Sequence, residues 1–267
     1  MEAVFELVRG TRPLLVSVPH VGTEIPSELG ARMVPRALAV ENTDWHLHLI
    51  YAFARAMGAS MIVPRYSRFV VDLNRPPENT PMYPGANNTE LCPTRFFTGD
   101  PIYRDGQAPQ ADEIARRVDT YWRPYHDALA AELARLRALH GVALLWDGHS
   151  IESSLPWLFE GRLPDLNLGT ANGQSCAPHL RERLMQVLAD QSEFSHVTDG
   201  RFKGGYITRR YGRPAEGVHA AQMEMCFSTY MREERAPWAL DEEGVARRLQ
   251  PLLQRLLQAM LDGVQKH

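Results

Sequence analysis

The sequence predicts one α/β domain over residues 1–267, with a mostly parallel or mixed central sheet flanked by helices. Three observations predict it. Short apolar runs alternate with segments of helical periodicity along the whole chain. At 267 residues the chain is long enough to bury a sizeable core without disulfides or metals as staples. Chemistry-bearing side chains follow the apolar runs, where open α/β sheets place their ligands.

The elements follow in order. "PLLVSVPH" (13–20) reads as a buried strand that stops at a Pro-His loop. "TDWHLHLIYAFARAMGA" carries Trp45, Leu49, Ala52, Phe53 and Met57 at helical spacing, with Thr43 or Asp44 as N-cap and Gly58 closing it. "SMIVP" and "RFVVDLN" read as strands over 60–63 and 69–73. Residues 74–106 are rich in Pro, Gly and Asn and show no period. A stretch of that length inside a compact domain is usually functional or disordered. Its Met82, Tyr83, Phe96, Phe97, Ile102 and Tyr103 argue for a packed loop. Residues 110–140 are helical in pattern, and Pro124 should kink or split the helix. "GVALLWDGHS" is an apolar strand running into Asp147, Gly148 and His149. "CAPHLRERLMQVLAD" is an amphipathic helix, "AQMEMCFSTYM" (221–231) a strand, and the last element a helix with a possible break at Pro251.

Composition narrows the function. The net charge of -3, with both signs interspersed and no basic block, argues against a nucleic-acid partner. The acidic N-terminus does not read as a signal peptide, and no window has the length of a membrane span. Cys92, Cys176 and Cys226 are far apart and odd in number, which suits a reducing compartment, so a cytoplasmic location is expected.

The candidate site lies past the apolar runs: His20 after the first; Asp72, Asn74 and Arg75 after the third; Asp147 and His149 on the fourth; Glu224 within the fifth. Two imidazoles and several carboxylates from separate strands suit a metal-dependent hydrolase, in which a further carboxylate takes the proton. A buried polar group costs energy unless paired, so Asp-Gly-His gains the core nothing. Asp147 could orient an imidazole or ligate directly. Asp44 could be only a helix cap. His46 and His48 lie two apart and share no face.

Strand alternation puts Gln222, Glu224 and Cys226 on one side and Met223, Met225 and Phe227 on the other. Burial among such neighbours disfavours an ionised carboxylate, a common setting for a general base. Arg75, stiffened by Pro76-Pro77, is a natural partner for a substrate carboxylate. "FKGGYITRRYG" supplies Lys203, Arg209 and Arg210 for a second anion clamp, beside Gly204-Gly205 that would let a loop close.

Together "SVPHVGTEIP", "NTDWHLHLIYAFARAMGASMIVPRYSRFVVDLNRPP", "DGHSI" and "MEMCFSTYM" resemble the N-formylglutamate amidohydrolase (N-formylglutamate deformylase) family, over about residues 14–231. "SRFVVDLNRPP" is the most specific segment. The resemblance implies a zinc-carboxypeptidase-like (phosphorylase/hydrolase-like) fold. It also implies hydrolysis of N-formyl-L-glutamate to formate and L-glutamate in histidine degradation. One divalent metal, zinc, would be bound by His20, His149 and a carboxylate. Asp44 matches the family's position for that carboxylate, with Glu24 and Asp147 as the alternatives. Glu224 falls where the general base belongs, and Asn74-Arg75 looks like the Asn-Arg pair with which carboxypeptidases hold a substrate carboxylate. Two substrate carboxylates call for at least two cations, Arg75 and Arg209 or Arg210, and the loop over 76–106 is expected to close the pocket around the small formyl group.

Competing readings are a formiminoglutamase-type ureohydrolase, a sibling acting on another N-acyl amino acid, and a non-catalytic anion-binding domain. The first lacks its late Asp-x-Asp cluster here. The last would not need Glu224.

Overall fold

The computed structural model describes residues 3–81, 87–232 and 234–264. Seven strands form one mixed sheet: β1 (Phe5–Val8), β2 (Leu14–Ser17), β3 (Ser60–Pro64), β4 (Ala143–Ile151), β5 (Leu166–Gly169), β6 (His196–Thr198) and β7 (Val218–Cys226). Their order is β1-β3-β2-β4-β7-β5-β6. The middle block β3-β2-β4-β7 is parallel; β1 joins β3 antiparallel, and β5 joins β7 antiparallel. The expected single α/β domain with a mixed, helix-flanked sheet is therefore present.

Alternation along the strands divides the core. Leu14, Val16, Leu144, Trp146, Ala221, Met223 and Met225 face the helices Pro178–Ala189 and Gln250–Asp262. Leu15, Ala143, Leu145, Val218 and Ala220 face the helix Arg123–His140. The 3.4 Å rise and period of two make this division automatic once the pairing register is set. Continuing the second set up the strands leads to Ser17, Asp147, His149, Gln222 and Glu224. The polar ladder thus lies on one face, at the carboxyl end of the parallel block.

Several local expectations are corrected. β4 does not end in Asp147-Gly148-His149 but stays paired with β7 through Ile151, placing His149 directly beside Glu224. Residues 69–73 are not a strand: they form turns after β3, and their apolar members are buried in loop-covered clusters. The single helix expected after Asp44 is two short pieces, Leu47–Ile50 and Phe53–Ala56. His46, not Thr43 or Asp44, precedes the first piece, with φ 62°. The strand expected over 221–231 instead spans Val218–Cys226 and passes into a 3₁₀ turn, Phe227–Thr229.

Both expected proline breaks are realised as a wide helical turn just upstream. The Val118–Trp122 π-turn precedes Pro124, and the Val245–Leu249 π-turn precedes Pro251. Each proline then sits in the first turn of the following α-segment, where its missing N–H costs least. The long loop is packed as expected: Phe96, Phe97, Ile102 and Tyr103 are buried. Met82 and Tyr83 lie outside the described residues. Among the described residues, no helix is long and apolar enough to cross a membrane.

Candidate metal centre

Three chain segments converge on one point. His20 follows β2 and its Pro19 turn; its carbonyl accepts from the Asp44 N–H at 2.9 Å, docking the 41–46 loop against it. Asp44 therefore reaches inward rather than capping a helix. Its Oδ2 accepts from the Ser150 N–H at 3.2 Å, and the carboxylate is 1% exposed. His149 projects from β4.

The atoms that face one another are Nδ1 of both imidazoles and Oδ2 of Asp44. The separations are 3.2 Å between the imidazoles, 3.5 Å from His20 to Asp44 and 3.3 Å from His149 to Asp44. A tetrahedral ion with bonds of about 2.0–2.1 Å has ligand–ligand edges of about 3.3–3.4 Å. The triangle is therefore the right size for three ligands and one open position.

The second nitrogens of the rings are also fixed. His20 Nε2 is 2.7 Å from Asp72 Oδ1. His149 Nε2 is 3.1 Å from Asp147 Oδ2 and 3.1 Å from Asn74 Nδ2. His20 Nε2 thus faces a carboxylate, and His149 Nε2 lies between the Asp147 carboxylate and the Asn74 amide, which leaves the two Nδ1 atoms facing each other and the Asp44 carboxylate. Three such atoms within 3.5 Å of one another need a shared proton or a cation among them. Asp44 Oδ1 is buried with no hydrogen-bond partner among the described residues. The residues thus fit a divalent metal, and the backing carboxylates are the partners that set imidazole tautomer and basicity.

Electrostatics follow from burial and these pairings. Burial alone raises the Asp44 carboxyl, but hydrogen bonds to His149 and His20 outweigh it and hold it below the usual range. Asp72 is likewise raised by burial and brought well below that range by Arg68, His20 and Arg75. Burial lowers His149, yet the carboxylates of Asp147, Asp44 and Glu224 leave it well above an ordinary imidazole. Glu224 behaves oppositely. Burial dominates and pushes it up to about 8.

Glu224 is held by its strand neighbour. Gln222 Nε2 donates to Glu224 Oε2 at 3.0 Å, while Gln222 Oε1 accepts from the Gly205 N–H at 2.6 Å. The second bond fixes which end of the amide faces the carboxylate. Gly205 lies so close to Asn74 that a Cβ there would come within 2.2 Å of Nδ2. Asn74 Oδ1 accepts from the Ile207 N–H at 2.8 Å, so one turn, 204–207, is clamped between the Glu224 side and the His149 side. Gly148, between Asp147 and His149, is required on the opposite face, where a Cβ would meet the Tyr51 ring at 2.8 Å.

A cavity of about 70 Å³ opens onto His20, His149 and Glu224. Arg68, Arg75 and Arg201 line it, as do Asn87, Asn88, Thr89 and Phe97 of the long loop. Arg75 is held by its own chain: Nε donates to the Thr89 carbonyl and Nη2 to Thr89 Oγ1. Arg209 and Arg210 do not line the cavity; they are exposed on the helix Tyr206–Tyr211, and Arg209 Nε donates to the Gly204 carbonyl. Lys203 is not in the lining either. Glu24, the alternative ligand, instead pairs with Arg65 at 2.6 Å near the surface.

Sequence reasoning placed Asp72 in the candidate site without a specific role and assigned none to Arg68, Gln222 or Arg201. Asp72 and Gln222 had a usable signal, since each is polar and sits at a position where the local pattern is apolar. Arg68 and Arg201 had none.

A mixed α/β sheet carrying a buried His-Asp-His cluster and a carboxylate beside it at the carboxyl ends of its parallel strands defines a metal-dependent hydrolase. The family model described as N-formylglutamate amidohydrolase matches residues 12–231. A protein of Pseudomonas putida named N-formylglutamate deformylase is 49% identical over 261 residues, 98% of this chain and 97% of the relative. One of the same name from Pseudomonas aeruginosa PAO1 is 48% identical over the same shares. The crystal structure of N-formylglutamate amidohydrolase from Ralstonia eutropha JMP134 superposes with a TM-score of 0.79 at 25% identity, covering 98% of this chain and 97% of that one. A gene product of Agrobacterium tumefaciens, 17% identical with a TM-score of 0.74 over 99% and 97%, shares the fold. The chain belongs to the N-formylglutamate amidohydrolase family.

Proposed function

We propose that this protein hydrolyses N-formyl-L-glutamate to formate and L-glutamate, using one zinc ion held by His20, Asp44 and His149. The observation that carries the reading is the cluster itself: two Nδ1 atoms and one carboxylate oxygen, 3.2–3.5 Å apart, beside a carboxyl held up to about 8. Two imidazoles, one carboxylate and an open position are a donor set that suits zinc in hydrolytic sites. The names of the two Pseudomonas relatives supply the substrate.

An ion held by His20, Asp44 and His149 would supply Lewis-acid polarisation of the formyl oxygen and a water of lowered pKa. Glu224 takes the attacking water's proton and returns it to the departing amine nitrogen. In the metal-free protein burial holds its carboxyl up to about 8; a cation held by His20, Asp44 and His149 would favour the ionised form that accepts the proton. Gln222 limits the rotation of that carboxylate, so the proton moves along one line. Asp72 and Asp147 hold the two imidazoles in orientation. Arg68, donating to Asp72 at 2.5 Å and lying 4.0 Å from Asp44, holds charge balance among buried carboxylates. Arg75 is the cation for the substrate's α-carboxylate: Asn74, one residue before it, touches His149, so Arg75 sits next to the reacting end. Residues 87–89 and Phe97 wall the cavity and keep bulk water out.

In the same reading the fold is zinc-carboxypeptidase-like, supported by a site at the carboxyl ends of a mixed sheet. The reaction belongs to histidine degradation. The three buried thiols support a cytoplasmic location, and the near-neutral charge supports a small molecule rather than nucleic acid as partner.

The test is metal content of the purified protein together with formate release from N-formyl-L-glutamate, with and without chelator. One equivalent of zinc and chelator-sensitive release are expected. Metal without release would move the substrate to another N-acyl amino acid. Neither, after reconstitution, would leave an anion-binding domain.

A further inference from the structure

We propose that Arg201 is the specificity-determining residue that reads the side-chain carboxylate of the substrate; the proposal rests on the amidohydrolase reading above. The cavity is lined by three guanidinium groups, and their surroundings give them different work. Arg68 is 6% exposed and is answered by Asp72 at 2.5 Å, with Asp44 4.0 Å away. Its charge belongs to the carboxylates that back the metal ligands. Among the described residues Arg75 hydrogen-bonds neutral oxygens, the Thr89 carbonyl and hydroxyl and the Asn74 carbonyl. It is one residue from Asn74, whose amide lies 3.1 Å from His149 Nε2.

Arg201 approaches the same cavity from another part of the fold, the segment between β6 and the helix Tyr206–Tyr211. Its Nη2 donates to the Leu158 carbonyl at 3.2 Å, and its guanidinium lies 5.4 Å from the centre of the Phe202 ring. Phe202 in turn meets Phe159 edge to face at 6.1 Å. These aromatic and aliphatic groups belong to a satellite cluster with Phe97, Ile151 and Leu155 rather than to the polar ladder of the metal centre. A planar fork held at one edge by a carbonyl and on one face by a ring is pre-organised for bidentate contact with a carboxylate.

The substrate's connectivity assigns the two cations. In an N-formyl amino acid the reacting carbonyl is attached to the α-nitrogen, so the α-carboxylate stays close to the metal centre. A side-chain carboxylate two methylenes further on lies away from it. Arg75, tied to the metal centre through Asn74, fits the near carboxylate. Arg201, standing on an apolar satellite beside Leu158 and Phe202, fits the far one, with apolar groups beside the methylenes. This separates selection of the amino acid from the chemistry, and it moves the second anion contact from Arg209 or Arg210 to Arg201.

The experiment compares zinc-loaded wild type, Arg201→Leu and Arg201→Lys on N-formyl-L-glutamate and N-formyl-L-glutamine, which differ only in the far charge. Wild type should favour the glutamate derivative. In Arg201→Leu the glutamate-to-glutamine ratio of kcat/KM should fall roughly 30- to 100-fold, the usual consequence of losing a charge-assisted bidentate pair. Arg201→Lys, which keeps charge and stem but not the fork, should fall between. Arg75→Leu should lower kcat/KM for both substrates and leave the ratio near its wild-type value. A ratio unchanged in both Arg201 variants, or a wild type indifferent to the far charge, overturns the assignment. Wild type inert toward both substrates would instead reject the deformylase reading, and the proposal with it. Zinc content and melting temperature of each variant separate a lost contact from a lost fold.

Discussion

Replacing Glu224 by glutamine should make the metal-free protein more stable and the enzyme nearly inactive. The side chain is buried on β7, and burial holds its carboxyl at about 8 against an ordinary 4.5. The folded chain therefore keeps a proton that the unfolded chain releases between pH 4.5 and pH 8. Where the folded state binds more protons, stability falls as pH rises. From 4.5 to 7 this amounts to about 3 kcal/mol at 1.36 kcal/mol per pH unit. Glutamine has nothing to release, keeps nearly the same volume and retains an oxygen to accept from Gln222. In chelator at pH 7, Glu224→Gln should therefore melt roughly 6–10 °C higher than wild type. The difference should shrink toward zero below pH 4.5. In the zinc-loaded enzyme kcat should fall about 10²- to 10⁴-fold, the range for loss of a general base. The assays are thermal unfolding across pH and formate release. Equal melting temperatures at pH 7 would mean that Glu224 ionises freely in the folded state. Undiminished turnover would remove it from the mechanism.

Other expectations follow from the same geometry. His149→Ala should abolish stoichiometric zinc binding, whereas Asp147→Asn should weaken affinity about 10- to 100-fold, as backing-group changes do; chelator competition distinguishes the two, and wild-type affinity in either would refute the assigned roles. Gly205→Ala forces a methyl to within 2.2 Å of Asn74 Nδ2, so it should cost about 1–3 kcal/mol and lower kcat by displacing Asn74 and Gln222 together; calorimetry and turnover check both. His126 is buried against Trp122, donates its Nε2–H to the Leu73 carbonyl at 2.8 Å and has Nδ1 2.9 Å from the Tyr211 hydroxyl. Burial outweighs the Leu73 bond and pulls its pKa down to about 4 from 6.5. The unfolded chain then binds the proton first, so stability drops by about 3 kcal/mol as pH falls from 6.5 to 4; denaturant unfolding of His126→Gln should show a shallower pH dependence, and an unchanged slope would count against a neutral buried ring.

Part of this molecule is written locally in its sequence. The runs "GVALLWDGHS" and "AQMEMCFSTYM" are apolar enough to be read as strands, and a period of two already separates Gln222 and Glu224 from Met223 and Met225. His20 and His149 could be chosen because each ends or interrupts an apolar run. Composition argued against a nucleic-acid partner, the residues after the apolar runs suggested a metal-dependent hydrolase, and the quoted motifs pointed to its family. These features depend on neighbours a few residues away, which a linear pattern records.

What tertiary structure decided depends on residues that meet across long stretches of chain. Asp44 looked like a cap because Thr-Asp before an apolar periodic segment usually is one. The left-handed backbone at His46 delays the helix to Leu47, and the Asp44 N–H bond to the His20 carbonyl turns its carboxylate inward. Asp72 looked like the end of a strand, but turns after β3 bring it to His20. Arg209 and Arg210 looked like the anion clamp, yet the helix beginning at Tyr206 points them to solvent while Arg201, before the turn, lines the cavity. The sequence by itself determined the runs that become β2, β3, β4 and β7, the longer helices and the polar faces, because side-chain periodicity and burial are local. Only the folded chain decided which polar groups share a cation, because that requires the parallel register of β2, β4 and β7 to bring residues 20, 44, 149 and 224 to one end of the sheet.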